Sequence, residues 1–161
     1  MRLSKEQIKE IIPHRDPFLF VDSVEKIECV DNAKSLVDLE KGVVTSRFYV
    51  NPDLHLFSGH FPGNPVLPGV LQTEIIAQSA CLLLAPLVRD YEDKTLKVAL
   101  LKVEQAKFRR PVTPGMNLQI EACCIRTRGN IMEYQGKIYN DRQLMSQANI
   151  MASVDINQDN K

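Results

Sequence analysis

The chain has 161 residues, 44% of them hydrophobic and 25% charged, which suits one globular domain with a sizeable core. Twenty Lys and Arg balance twenty Asp and Glu, so bulk charge points to no polyanionic partner and any such surface must be local. The longest apolar run, residues 80–88, is about half of the roughly 18 residues a spanning helix needs, so no membrane span is expected.

The first ten residues are charged and lack an apolar signal core, and the four cysteines (Cys29, Cys81, Cys123, Cys124) have no CxxC spacing. Adjacent Cys123 and Cys124 would face opposite sides of a strand, which suits neither one metal nor a mutual disulfide. A cytoplasmic protein with reduced, packing cysteines is the expectation.

Residues 4–12 read as a short helix, with Ser4 capping, Gln7 three positions later and Ile8, Ile11 and Ile12 on the apolar side; Pro13 stops it. Residues 18–30 read as a strand, and residues 34–50 as one or two strands with a break at Lys41-Gly42. Residues 51–69 hold Pro52, Pro62, Pro65 and Pro68 and three glycines. That composition predicts a long irregular loop, which Phe57, Phe61, Val66 and Leu67 would pack down. The main helix is predicted from Val70 to about Arg89, apolar around most of its circumference and therefore buried on most sides.

Strands follow over residues 96–108, then from Leu118 through Ile120 and Ala122 to Cys124. Another places Met132, Tyr134, Gly136 and Ile138 on one face, and the last does the same for Leu144, Ser146, Ala148, Ile150, Ala152 and Val154. A polar tail is expected from about Asp155. The whole reads as a single α+β domain, an antiparallel sheet wrapped around one long central helix.

The chemistry concentrates between residues 59 and 78. His60 lies in a Pro/Gly-rich frame beside Phe61, and imidazole takes a proton near neutral pH, its unperturbed pKa being roughly 6.5. The same residue would serve as a loop histidine bonded to backbone. Glu74 lies in an apolar helix, where an ionised carboxylate is costly to bury; a buried one tends to be paired or protonated, the state a general acid needs. It could equally turn to solvent or to a subunit contact. Gln78, one turn on, can hydrogen-bond it without adding charge. Pro68 and Gly69 open the helix, leaving N–H groups and the positive dipole end towards the loop. This is either an oxyanion site, with Val70 adjoining, or plain turn punctuation. Together a base, an acid and an oxyanion donor suit proton abstraction beside a carbonyl with loss of a β-hydroxyl.

The run His60-Phe61-Pro62-Gly63-Asn64-Pro65-Val66-Leu67-Pro68-Gly69-Val70-Leu71, followed by Glu74 and Ala77-Gln78, resembles the signature of the FabZ-type β-hydroxyacyl-acyl-carrier-protein dehydratases. Two flanking segments, residues 13–22 (Pro13-His14-Arg15-Asp16-Pro17 onward) and residues 107–115, agree, so the resemblance covers roughly residues 8–155. It implies a hot-dog fold and a homodimer with joined sheets, with dimers assembling into hexamers as trimers of dimers. The implied activity is that of a (3R)-hydroxyacyl-[acyl-carrier-protein] dehydratase of fatty acid biosynthesis, giving the trans-2-enoyl product. His60 of one copy would remove the C2 proton, Glu74 of the other would protonate the leaving hydroxyl, and the Gly69 N–H would hold the thioester oxygen. No metal or organic cofactor is implied.

Gln72 and Thr73 stand where that family usually has aliphatic residues, Ser79-Ala80 replaces a common Gly-Gly pair, and residues 98–102, Ala99 among them, lack aromatics common there. These departures bear on acyl chain length rather than on the chemistry. Lys102, Lys107, Arg109 and Arg110 are candidate contacts for an acidic acyl carrier protein, or else an ordinary solvated strand end. No exposed aromatics are expected to interleave the patch and total charge is zero, so nucleic acid is not an expected partner. His55 and His60, on a loop without helical HExxH spacing, predict no zinc site. A non-catalytic acyl-binding subunit and a thioesterase are the competing readings, the latter poorly matched by the His60/Glu74 spacing.

Overall fold

A computed structural model describes residues 1–88 and 94–158. Helix α1 (Lys5–Ile11) starts with the capping box read from the sequence: Ser4 Oγ accepts from the Gln7 N–H, and the Gln7 side chain accepts from the Ser4 N–H at 3.0 Å. It buries Ile8 and Ile11 and ends at Ile12.

Strand β1 (Ser23–Glu28) is shorter than the expected 18–30. The missing part has other partners: the Phe18 carbonyl and the Phe20 N–H are both bonded to the side chain of Gln78, so they join no ladder. The expected strand over residues 34–50 is likewise split. A 3-10 turn occupies Leu36–Leu39, because Asp38 Oδ2 gathers the N–H groups of Lys34 and Ser35 and the Ser35 hydroxyl. The chain then turns at Lys41, with φ at 65°, and enters β2 (Val43–Tyr49), so the break falls where Lys41-Gly42 was read.

Residues 51–68 carry one 3-10 turn, His55–Ser58, and bury Phe57 and Leu67, whereas Phe61 stays half exposed. Helix α2 (Gly69–Cys81) continues into a 3-10 turn, Leu82–Leu84, and a last short helix α3 (Ala85–Val88). The predicted single helix is therefore broken before Pro86, whose ring lacks an N–H and crowds the α geometry of the preceding turn. Arg89, the predicted helix end, lies outside the described residues.

The remaining strands are β3 (Lys94–Phe108), β4 (Asn117–Arg128), β5 (Ile131–Asn140) and β6 (Gln143–Gln158). The sheet order is β1-β2-β4-β5-β6-β3, antiparallel throughout. Asp155 begins no tail: β6 continues against the long β3, with Lys97 opposite Asp155 and Lys94 opposite Gln158.

Alternation along the strands turns Leu118, Ile120, Ala122 and Cys124, then Met132, Tyr134 and Ile138, inward onto α2. The helix answers with Ile75, Ile76 and Ala80, and Leu82, Leu83 and Leu84 close the far end with no exposure at all. Fully burying each such leucine contributes roughly 1.5–3 kcal/mol. The helical run Gly69–Val88 has the length and hydropathy of a membrane span, but 61% of it is buried inside the fold, which marks it as the core helix. Gly136 on β5 sets how closely α2 approaches the sheet, since a Cβ there would run into the Ile76 side chain.

Gly136→Ala should therefore cost about 1–3 kcal/mol, since Ile76 must move in a packed core. Thermal unfolding checks this, and an unchanged midpoint would contradict the close approach.

Candidate active site

His60 is held by its own loop. Its N–H donates to the Leu56 carbonyl at 2.9 Å, its carbonyl accepts from the Val66 N–H at 3.0 Å, and its Nδ1 lies 2.7 Å from the Val66 carbonyl. A carbonyl can only accept, so Nδ1 carries the proton and Nε2 presents a lone pair. Phe61 stacks on the imidazole with ring centroids 4.0 Å apart. Between them and Val66 the chain reverses through reciprocal Phe61–Asn64 backbone bonds, with Gly63 at φ 73°. The histidine is thus bonded to backbone, as one sequence reading had it, and still offers a free nitrogen, as the other required.

The start of α2 lies alongside. Leu67 N–H bonds the Val112 carbonyl at 2.8 Å, and Pro68, the N-cap, accepts from Leu71 and Gln72. As the first helical residues, Gly69 and Val70 have no partner one turn back for their N–H groups. Gly69 also meets the Phe108 ring, whose atoms would stand 3.1 Å from an added Cβ. Val70 is largely exposed. His60, Gly69, Gln72, Phe108, Arg109 and Arg110 share one open recess of about 280 Å³.

Glu74 is one and a half turns further along α2, three-quarters buried. Gln78 fixes it. The Gln78 Oε1 accepts from the Phe20 N–H at 2.8 Å, and its Nε2 donates to the Phe18 carbonyl at 3.0 Å and to Glu74 Oε1 at 2.9 Å. Gln78 is therefore an anchor with both its N–H donors and its carbonyl oxygen engaged inside the protein. On the other side His14 Nε2 lies 3.4 Å from the same carboxyl oxygen. Sequence reasoning missed His14: it lies in a quoted motif, but nothing in linear spacing ties residue 14 to residue 74.

One turn below Glu74, Ala77, Ala80, Cys81 and Leu84 face Val98, Leu100, Tyr134 and Ala152 across a narrow apolar slot of about 30 Å³. Burial, with the Glu74 carboxylate adding, pushes the Cys81 thiol up to about 12, so it lines the slot as an uncharged group.

The basic residues divide. Arg109 and Arg110 border the His60 recess and Lys107 is exposed on β3, whereas Lys102 is paired with Glu104 at 2.7 Å in a separate small recess.

The model of the FabA-like domain matches residues 12–149. The chain belongs to the FabA-like family. Among curated relatives, the protein named 3-hydroxyacyl-[acyl-carrier-protein] dehydratase FabZ from Campylobacter lari is 36% identical over 92% of this chain and 94% of its own length. The relative of the same name from Geotalea uraniireducens is 38% identical over 91% of this chain and 93% of its own. Among solved structures, the dehydratase heterocomplex ApeI:P from Xenorhabdus doucetiae superposes with a TM-score of 0.66 at 17% identity, over 96% of this chain and 91% of that one. A mutant thioesterase PA1618 from Pseudomonas aeruginosa gives 0.61 at 13% identity over 96% of both chains. At such identities these likenesses speak to the fold alone, and the fold is the hot-dog.

In this FabA-like chain His60 lines the recess at the start of α2, whereas Glu74 lines neither that recess nor the apolar slot below it.

Removing the anchor should show its weight. Gln78→Leu leaves the buried Phe20 N–H without a partner, at a cost of roughly 1–3 kcal/mol, and also removes the part-buried bond to the Phe18 carbonyl. Chemical denaturation measures the loss, and wild-type stability would contradict the anchoring role.

Proposed function

We propose that the chain is a 3-hydroxyacyl-[acyl-carrier-protein] dehydratase of fatty acid biosynthesis, a hydro-lyase in which His60 of one copy works with Glu74 of a second. The observation that carries this reading is the His60 imidazole, its Nδ1 committed to the Val66 carbonyl and its Nε2 open beside the N-terminus of α2. Membership of the FabA-like family and the names of its curated relatives support the activity.

His60 Nε2 takes the C2 proton of the 3-hydroxyacyl thioester. Negative charge then moves to the thioester oxygen, where the Gly69 N–H, with Val70 beside it and the helix dipole behind, stabilises it. As the carbonyl re-forms, the C2–C3 double bond forms, the C3–O bond breaks, and the proton of Glu74 leaves with the hydroxyl as water. Phe61 holds the imidazole plane and Pro68 sets the turn that aims the N–H groups. The cycle closes when His60 gives up its proton and Glu74 regains one.

A second copy is needed by this chemistry, and β3 supports it. That strand is fifteen residues long, lies at the sheet edge, and exposes Val98, Leu100, Leu101, Val103 and Phe108. A long, apolar, unpaired edge is a liability in a monomer, and pairing with a second β3 would cover it. The apolar slot below Glu74 suits an acyl tail. Arg109, Arg110 and Lys107 at the mouth suit an acidic carrier protein, with Lys102 contributing least because Glu104 holds it. Reduced thiols suit a cytoplasmic setting.

His60→Ala and Glu74→Gln should each lower turnover of 3-hydroxyacyl thioesters by at least about 100-fold while the fold survives. Mixing the two inactive variants as subunits gives a sharper reading. A heterodimer contains one site with both groups intact, so statistical one-to-one mixing should restore roughly a quarter of wild-type activity. No recovery from verified heterodimers would mean that the two residues do not meet across copies.

A further inference from the structure

We infer that His14 is a positioning residue for Glu74, holding one oxygen of its carboxyl so that the other carries the proton given to the leaving hydroxyl. This rests on the assignment of Glu74 as the acid. His14 follows Pro13 at the end of α1, and Arg15 pins that corner: its guanidinium donates to the carbonyls of Lys9 at 3.0 Å, Ile12 at 3.0 Å and His14 itself at 2.7 Å. The backbone that carries the imidazole is therefore fixed by three charge-assisted bonds before the side chain reaches α2.

The imidazole presents Nε2 to Glu74 Oε1 at 3.4 Å, while Nδ1 is buried and meets no partner. Nδ1 goes unpaired in either neutral tautomer, and only the tautomer with its proton on Nε2 turns an N–H towards Oε1. A cationic ring would add a buried N–H with no acceptor, the costlier arrangement. The proton thus sits on Nε2 and points at Oε1. Gln78 Nε2 donates to the same oxygen at 2.9 Å and cannot reverse, because its Oε1 is taken by the Phe20 N–H.

The Gln78 N–H donor and, at 3.4 Å, the His14 Nε2 converge on Oε1 from two different elements, whereas Oε2 has no hydrogen-bond partner among the described residues. A proton on Oε1 would compete with both donors, so the acid proton resides on Oε2. The carboxyl is held by one oxygen and reacts through the other, and His14 supplies the half of that hold which Gln78 alone leaves free to pivot.

The test uses the full-length homo-oligomer and hydration of a crotonyl thioester, followed by loss of enoyl absorbance. His14→Leu should lower kcat by about tenfold or more with KM within about twofold, the signature of a group aimed wrongly rather than a substrate bound less well. His14→Gln, whose amide nitrogen can reach Oε1, should recover most of that loss. Nitrogen NMR of histidine-labelled wild type should show the His14 proton on Nε2. A folded His14→Leu with kcat within twofold of wild type, a His14→Gln no better than His14→Leu, or a proton on Nδ1 would each overturn the inference. If His14→Leu fails to fold, His14→Gln and the labelled wild type still decide. Glu74→Gln run alongside separates the two levels. Full activity there removes the acid assignment itself, whereas an inactive Glu74→Gln beside a fully active His14→Leu removes only the role of His14.

Discussion

A carboxamide in the wall of a core helix must find partners outside that helix, and Gln78 finds them in residues 18–20. The rest of the site depends on this. Because the Phe18 carbonyl and the Phe20 N–H spend their bonding on Gln78, residues 18–20 lie on α2 rather than in the sheet, and contact with β2 begins only at the Asp22 N–H, just before β1. That placement brings His14 over Glu74. The third Gln78 bond then holds the carboxyl from below. Without it, a mostly apolar helix would carry a carboxyl with no fixed direction, and an acid that swings costs rate even when its affinity for protons is right.

Closeness of helix and sheet is the second constraint. Ile76 fits against β5 only because Gly136 has no side chain, and Gly69 fits against Phe108 for the same reason. The first contact seats the middle of α2; the second brings its N-terminal N–H groups up to the end of β3, where the His60 recess opens. Both glycines occupy ordinary backbone, so what they supply is room and not conformational freedom.

Much of this was readable in the chain. The two-residue alternation from Leu118 to Cys124 and from Met132 to Ile138 located strands and core faces together, and the apolar circumference of residues 70–88 forced a buried helix. His60 and Glu74 stood out because a Pro/Gly frame and an apolar helix are unusual hosts for them. Less legible was anything set by contacts between distant segments. Residues 18–20 look like strand by composition, and the carboxamide of residue 78 takes the backbone bonds a ladder would need. Residues 34–39, with Leu36, Val37 and Leu39, are apolar enough for a strand, but Asp38 caps a turn there, a local hydrogen-bonding choice that outweighs propensity. The polar residues after Asp155 carry no strand signal of their own and are ordered by the length of β3. The role of His14 was hidden for the same reason, since sixty residues separate it from the carboxyl it faces.

If two copies share a site as proposed, α2 has a double duty. Its first residue, Gly69, lines one recess with the His60 of its own chain, while Glu74, five residues on and about 7.5 Å further along the axis, would serve the His60 of the second chain. One rigid helix then sets the oxyanion donor of one site and the acid of the other. A displacement of α2 along its axis would then disturb both sites at once. Tight seating of this helix is thus a demand of the chemistry as well as of the core. The Ile76–Gly136 contact and the three-way hold of Gln78 resist that displacement, one by shape and the other by direction.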